Sequence, residues 1–252
     1  MTGTIIAIAS GKGGVGKTWL AITLAHLIAR TERKVLLFDG DIGLANVDVQ
    51  LGLTPKHDLS EVFFSKAALK DVITPYAPNF DIIAGRSGSG NLASLPAPAL
   101  TALKEQLLAL TKTYDFIFID LGAGVEEHVR TLATIAARCI VVVTDEPTSL
   151  TDAYAFIKLY NAAGPTAIDV VVNQSQSLKE GEKTYATLHK ACASFLRLSP
   201  PCLGIIRKDG KVREAIRKQA SLITHAPHCT AASDAASITI KLMHNAGLRQ
   251  KA

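Results

Sequence analysis

Near the N-terminus, Gly11, Lys12, Gly13, Gly14, Val15, Gly16, Lys17 and Thr18 fit the spacing G-x-x-x-x-G-K-[ST]. The glycines let backbone N–H groups converge on phosphate oxygens with no Cβ in the way. The residues before the loop read as a strand and those after it as a helix. The loop therefore opens a helix whose positive N-terminal end adds to the attraction for an anion. Lys17 is spaced to reach the β- and γ-phosphates of a nucleotide, and the Thr18 hydroxyl to ligate Mg²⁺. By spacing alone Lys12 is a surface lysine.

Carboxylates follow at strand ends. Asp39 closes an apolar run and Asp41 stands two residues on. Beside a phosphate loop such groups can hold the Mg²⁺ shell or orient water; they fit a solvated turn equally well. Asp120 ends the run Phe116-Ile117-Phe118-Ile119-Asp120, the pattern of a carboxylate that binds Mg²⁺ through water. Its alternative is a cap for the next helix. Gly122 and Gly124 then allow a loop to bring an N–H to the γ-phosphate. Asn173 ends another run, Val170-Val171-Val172, and a carboxamide there can pair with adenine N6 and N7 or sit in a plain loop.

Seven apolar runs must place these groups: 5–10, 34–39, 80–84, 116–120, 139–144, 167–173 and 202–206. Most lack alternation, as strands buried on both faces do. Helical patterns lie between them at 17–30, 97–111, 126–137, 150–163, 180–196, 212–219 and 233–247, and residues 85–99 read as a loop. Repeated β-α units predict an α/β fold with a doubly wound, mainly parallel sheet flanked by helices, ligands binding beyond the C-terminal strand ends. The 252 residues, 48% hydrophobic and 19% charged, suit one domain over 1–252 and exclude a disordered or low-complexity chain. No secretory or spanning segment is visible. The four cysteines are widely spaced without a C-x-x-C pair, which argues against a disulfide framework or a metal site within one chain. The expected location is the cytoplasm.

The loop with its early lysine resembles the MinD/ParA-type deviant Walker A ATPases, whose loop reads K-G-G-x-G-K-T. The resemblance implies a P-loop ATP hydrolase using ATP and Mg²⁺, and an ATP-sandwich dimer in which Lys12 crosses to the other subunit's nucleotide. It implies that Asp41 polarises the attacking water, that Asp39 and Asp120 support the metal, and that Asn46 lies near nucleotide and interface. Asn173, Arg207 and Asp209 fall on the adenine side. Within the family, G-L-A-N-V-D-V at 43–49, D-E-P-T-S-L-T-D-A-Y at 145–154 and the segment 209–219 resemble the FlhG (FleN) branch, over about residues 4 to 220. That branch controls flagellar number and placement. Its implied partners are a second copy of the chain, an FlhF-like GTPase, a flagellar switch or basal-body protein, and a flagellar transcription regulator. Trp19 departs from the pattern: a small or polar residue is usual there, so a hydroxyl to the α-phosphate is lost while the backbone N–H remains. Leu121 departs likewise, and Arg207 replaces a common proline.

Net charge is +5, yet residues 204–252 carry 9 basic and 3 acidic side chains. Arg207, Lys208, Lys211, Arg213, Arg217 and Lys218 lie within twelve residues. No aromatics interleave, so single-stranded nucleic acid has no stacking platform. The cluster reads as a local docking surface for a protein partner or an anionic membrane. Residues 231–252 form a C-terminal helix with Ala235, Ile238, Leu242 and Ala246 on one stripe. It either packs on the core or anchors the ATP state peripherally to the inner membrane. Two rival readings are a ParA-like DNA-partition ATPase and, given Trp19 and Leu121, a non-catalytic nucleotide-binding adaptor.

Overall fold

The computed structural model describes residues 2–41, 45–64, 67–85, 97–164 and 167–245. In chain order the elements are β1 (Thr4–Ser10), α1 (Lys17–Ala29), β2 (Val35–Gly40), α2 (Val47–Leu51), α3 (Leu59–Phe64), β3 (Thr74–Ala77), β4 (Phe80–Ile83), α4 (Ala97–Leu110), β5 (Phe116–Ala123) and α5 (Glu127–Ala133). They continue with β6 (Arg138–Val143), α6 (Pro147–Ala163), β7 (Ala167–Ser175), α7 (Leu178–Ala191), β8 (Cys202–Arg207), α8 (Gly210–Arg217), α9 (Leu222–His225) and α10 (Thr230–Asn245). The described strands form one sheet in the order β3-β4-β2-β5-β1-β6-β7-β8. Every neighbouring pair is parallel except the β3–β4 hairpin.

Side chains alternate across a strand, so each apolar run feeds two cores. Ala7, Phe38, Ile117, Ile119, Val141 and Val172 face the layer holding α4, α5, α6 and α7. Ile6, Ile8, Leu37, Phe118, Ile140 and Val171 face α1, α8, α9 and α10. Burial on both faces explains why the runs show no alternation of polarity. Polar residues enter where the central strands end: Asp39 of β2 stands opposite Asp120 of β5 in register. The candidate site thus lies at the C-terminal edge of the sheet.

The expected architecture is present, with local differences. β3 went unseen because its four residues TPYA include a proline and no apolar run; as an edge strand it tolerates the missing N–H. β5 runs on to Ala123, so Gly122 sits in a strand. The helix expected from 150 starts at Pro147, where a proline suits the first turn. In α10, Ala231, Ala232, Ala235, Ile238, Leu242 and Met243 are buried, packed on α1 and β8. For residues 230–245 this is the core-packed alternative of the two left open above. Gly43, Leu44, Ala246 and most of the expected loop at 85–99 lie outside the described residues. No described helix is long and apolar enough to cross a membrane.

Candidate functional site

The loop between β1 and α1 is held from three sides. Gly14 and Gly16 have φ of 78° and 93°, the left-handed region that glycine enters freely. A Cβ on Gly16 would also meet Trp19 Nε1 at 2.4 Å and Asn173 Nδ2 at 2.5 Å. A Cβ on Gly11 would meet the Asp152 backbone of α6 at 2.2 Å. Ser10 Oγ donates to the Lys12 carbonyl at 2.7 Å and accepts from Lys17 Nζ at 2.9 Å. Lys17 is buried, which pushes its pKa down, while Asp120 and Asp41 pull it back up.

The carboxylates divide their tasks. Asp39 is fully buried and accepts from the Asp41 N–H at 3.2 Å, the Asn46 N–H at 2.9 Å and the Val47 N–H at 3.0 Å. It therefore braces the turn into α2, and differs in this from a carboxylate left open for a metal shell. Burial, with the Asp120 charge beside it, raises its pKa to about 8. Asp120 is raised to about 7 by burial, against the Thr18 hydroxyl and Lys17, which favour its charged form. Its Oδ1 is buried without a hydrogen-bond donor. An orphaned anionic oxygen beside a P-loop hydroxyl fits a hard cation that prefers oxygen, and Mg²⁺ there would offset the crowded negative charge. Asp41 lines the cavity, its Oδ1 only 3.1 Å from where a Gly122 Cβ would stand. Gly124 donates its N–H to the Ser10 carbonyl at 3.0 Å, so this N–H, expected at the γ-phosphate, ties β5 to β1 instead.

Of these groups Lys17, Thr18 and Asp41 open on a cavity of about 630 Å³, within the range of small-molecule sites. Its phosphate end is Gly13, Gly14, Gly16, Lys17, Thr18, Asp41 and Ala123, with Asn46 beside Asp39 and Asn173 beside Val15, and it extends to Arg207 and Asp209 after β8. Val15 is buried and does not line it. Asn173 donates from Nδ2 to the Val15 carbonyl at 2.7 Å and accepts the Gln174 N–H at 2.9 Å. Arg207 pairs with Asp234 at 2.7 Å, and Asp209 caps α8 by accepting the Lys211 N–H at 2.9 Å. Lys208 and Arg213 also line the far end, and Lys211 pairs with Glu214. Arg207, Lys208 and Arg213 of the basic cluster are therefore turned to the cavity and Lys211 is paired with Glu214.

Residues 6–222 match the CobQ/CobB/MinD/ParA nucleotide binding domain. The chain belongs to this family. It is 37% identical over 228 residues to the antiactivator FleN of Pseudomonas aeruginosa, covering 90% of this chain and 81% of FleN. It is 32% identical over 225 residues to the flagellum site-determining protein YlxH of Helicobacter pylori, covering 88% and 76%. The septum site-determining protein MinD of Pyrococcus horikoshii, solved as a complex with Mg-ADP, superposes with a TM-score of 0.83 at 26% identity, covering 97% of each chain.

In this MinD/ParA-type domain Lys12 sits at the loop rim, its side chain 35% exposed. Its Nζ donates to a Glu146 carboxylate oxygen and, at 2.8 Å, to Thr148 Oγ1. Ser10, Glu146 and Thr148 were not singled out as site residues. Ser10 carries no motif signal of its own. Glu146 and Thr148 lie inside the D-E-P-T-S stretch, whose resemblance marks the branch while its position beside Lys12 depends on the fold.

Proposed function

We propose that the chain is an ATP-driven switch of the FleN/FlhG type, acting in the control of flagellar number or placement. The observation that carries this reading is the convergence of Lys17, Thr18 and Asp41 on one nucleotide-sized cavity, with Asp120 buried behind Thr18 and its Oδ1 unpartnered. Bound Mg²⁺ would supply charge neutralisation for the transferring phosphoryl group. The chain's own residues do the rest. Loop N–H groups and Lys17 hold the phosphates, Asp41 orients the attacking water, and Asp39 fixes the turn that carries Asp41. Lys12 leaves Glu146 and Thr148 to reach the nucleotide of a second copy, making an ATP-sandwich dimer that hydrolysis releases. Slow turnover then acts as a timer on the dimer.

The flagellar assignment rests on the identity with FleN over 90% of this chain. Partners of the ATP dimer are accordingly a FlhF-like GTPase, a flagellar switch or basal-body protein, or a flagellar transcription regulator. Because Arg207, Lys208 and Arg213, half of the basic cluster, line the cavity and the α10 stripe is buried, a protein partner is favoured over DNA or an anionic membrane.

The test uses two variants. Lys12→Ala should bind ATP as the wild type does yet remain monomeric by light scattering, and persistent dimers would reject the crossing lysine. Asp41→Ala should hold the ATP dimer and release phosphate at least tenfold more slowly. A pull-down with that trapped dimer should recover flagellar proteins; recovery of partition proteins with DNA would favour the ParA-like reading. Tight ATP binding by the wild type with no phosphate release would leave the adaptor reading.

A further inference from the structure

We infer that Asp234 of α10 is a positioning residue for the nucleotide: it holds the wall at the nucleoside end of the cavity, so that α10 responds to a ligand spanning both ends. The inference rests on the nucleotide reading above and adds to it a helix that contributes no described residue to the cavity. The wall in question runs from Arg207, Lys208 and Asp209, at the close of β8, to Val212, Arg213 and Ile216 of α8.

Two carboxylates fasten this wall to α10, one from each side. Asp234 accepts the Arg207 backbone N–H and Arg207 Nε on one oxygen, both at 3.0 Å, and Arg207 Nη2 on the other at 2.7 Å. Its side chain is only 10% exposed. A guanidinium held by both carboxylate oxygens is fixed in orientation as well as distance. In return Asp209 accepts the Ala231 N–H, from the first turn of α10, at 3.2 Å, and on its other oxygen the Lys211 N–H, from the first turn of α8, at 2.9 Å. Burial works to raise the Asp209 pKa, but these N–H groups hold it below the ordinary carboxylate range. The end of β8 therefore cannot shift without Asp234, nor the start of α8 without Ala231. α10 also packs on α1, the helix that opens with Lys17 and Thr18. One helix thus braces the elements behind both ends of the cavity. A nucleotide must meet both ends at once and depends on their spacing. Free tripolyphosphate fills the phosphate end alone and does not.

The test compares ATP with inorganic tripolyphosphate on the full chain, with Mg²⁺ present. Asp234→Asn keeps the shape and an acceptor for the Arg207 N–H but removes the charge. It should weaken ATP about five- to tenfold by calorimetry and leave tripolyphosphate within about twofold. Asp234→Glu, which restores the charge on a longer arm, should recover part of the loss. In the wild type, ATP should slow hydrogen exchange at the amides of 230–245, and tripolyphosphate should not. In Asp234→Asn the effect of ATP on these amides should shrink. A merely structural pair would weaken both ligands together, or lower stability with both affinities unchanged, and either result overturns the inference. Should Asp234→Asn fail to fold, exchange in the wild type decides: α10 amides that respond equally to ATP and tripolyphosphate, or to neither, overturn it. A wild type that binds no ATP overturns the nucleotide reading, and this inference with it.

Discussion

The two ends of the cavity are built in different ways. The phosphate end comes from consecutive residues, the loop between β1 and α1, and its binding groups are chiefly backbone N–H groups held by glycine geometry. Its charged side chains are buried close together, and their pKa values move accordingly. The nucleoside end is assembled from α1, α2, β7 and α8, elements far apart in the chain. It relies on side chains. A phosphate is an anion of fixed shape, so one backbone device serves for it. A base is recognised by the order of donors and acceptors along its edge, which only placed side chains can match. The departures from the family pattern at Trp19 and Arg207 both fall on this second wall.

Gly16 joins the two ends, and breaking it should give the largest effect. Gly16→Ala puts a Cβ into a left-handed position already crowded by Trp19 Nε1 at 2.4 Å and Asn173 Nδ2 at 2.5 Å. We expect a loss of about 3 kcal/mol in urea unfolding and a fall in ATP affinity of more than about 100-fold by calorimetry. If tripolyphosphate binding survives while ATP binding is lost, the two ends are separable. If both disappear, they form one rigid unit.

Asp39 tests the phosphate end alone. Its folded pKa of about 8 lies above the ordinary carboxylate value. The folded state therefore prefers the protonated form. The resulting stability is present below about pH 4 and is lost as pH rises through about 8. Without metal or nucleotide, Asp39→Asn should flatten that decline. Its NH2 replaces an oxygen that accepts a backbone N–H, so the variant starts below the wild type by about 1–3 kcal/mol and closes that gap towards pH 8.5. Near pH 4, where Asp39 is protonated, the wild type should melt at the higher temperature. Equal slopes in a thermal-shift series across this window would remove Asp39 as the source.

This contrast also accounts for what could be read from the sequence. The loop, the strand-end aspartates and the parallel sheet are written in local spacing and in unbroken apolar runs, so they were legible. The hairpin strand β3 and the short helices α2 and α9 carry too few residues for a periodic signal, and packing holds them. The charge of the basic cluster of 207–218 is visible in the sequence, but the direction of Lys208 and Arg213 into the cavity is not. Asp39 was recognised as a functional carboxylate, while its three N–H donors depend on how the chain turns after β2.

Lys12 is the one P-loop lysine not committed to its own subunit's phosphate end, and its tether gives the smallest predicted effect. The Lys12–Glu146 pair is 35% and 60% exposed, and such surface pairs contribute at most about 1 kcal/mol. Glu146→Ala should therefore leave unfolding within about 0.5 kcal/mol of the wild type, with ATP affinity in the monomer unchanged. Its effect should appear where Lys12 is used. Releasing the lysine removes a competitor for the second nucleotide, so the ATP dimer should tighten about two- to fivefold in a sedimentation series, the equivalent of at most about 1 kcal/mol. Raising the salt to about 0.5 M screens the exposed pair and should shrink the difference between variant and wild type. A dimer weakened by Glu146→Ala would reverse the assignment, placing Glu146 in the contact between subunits and Lys12 at home beside it.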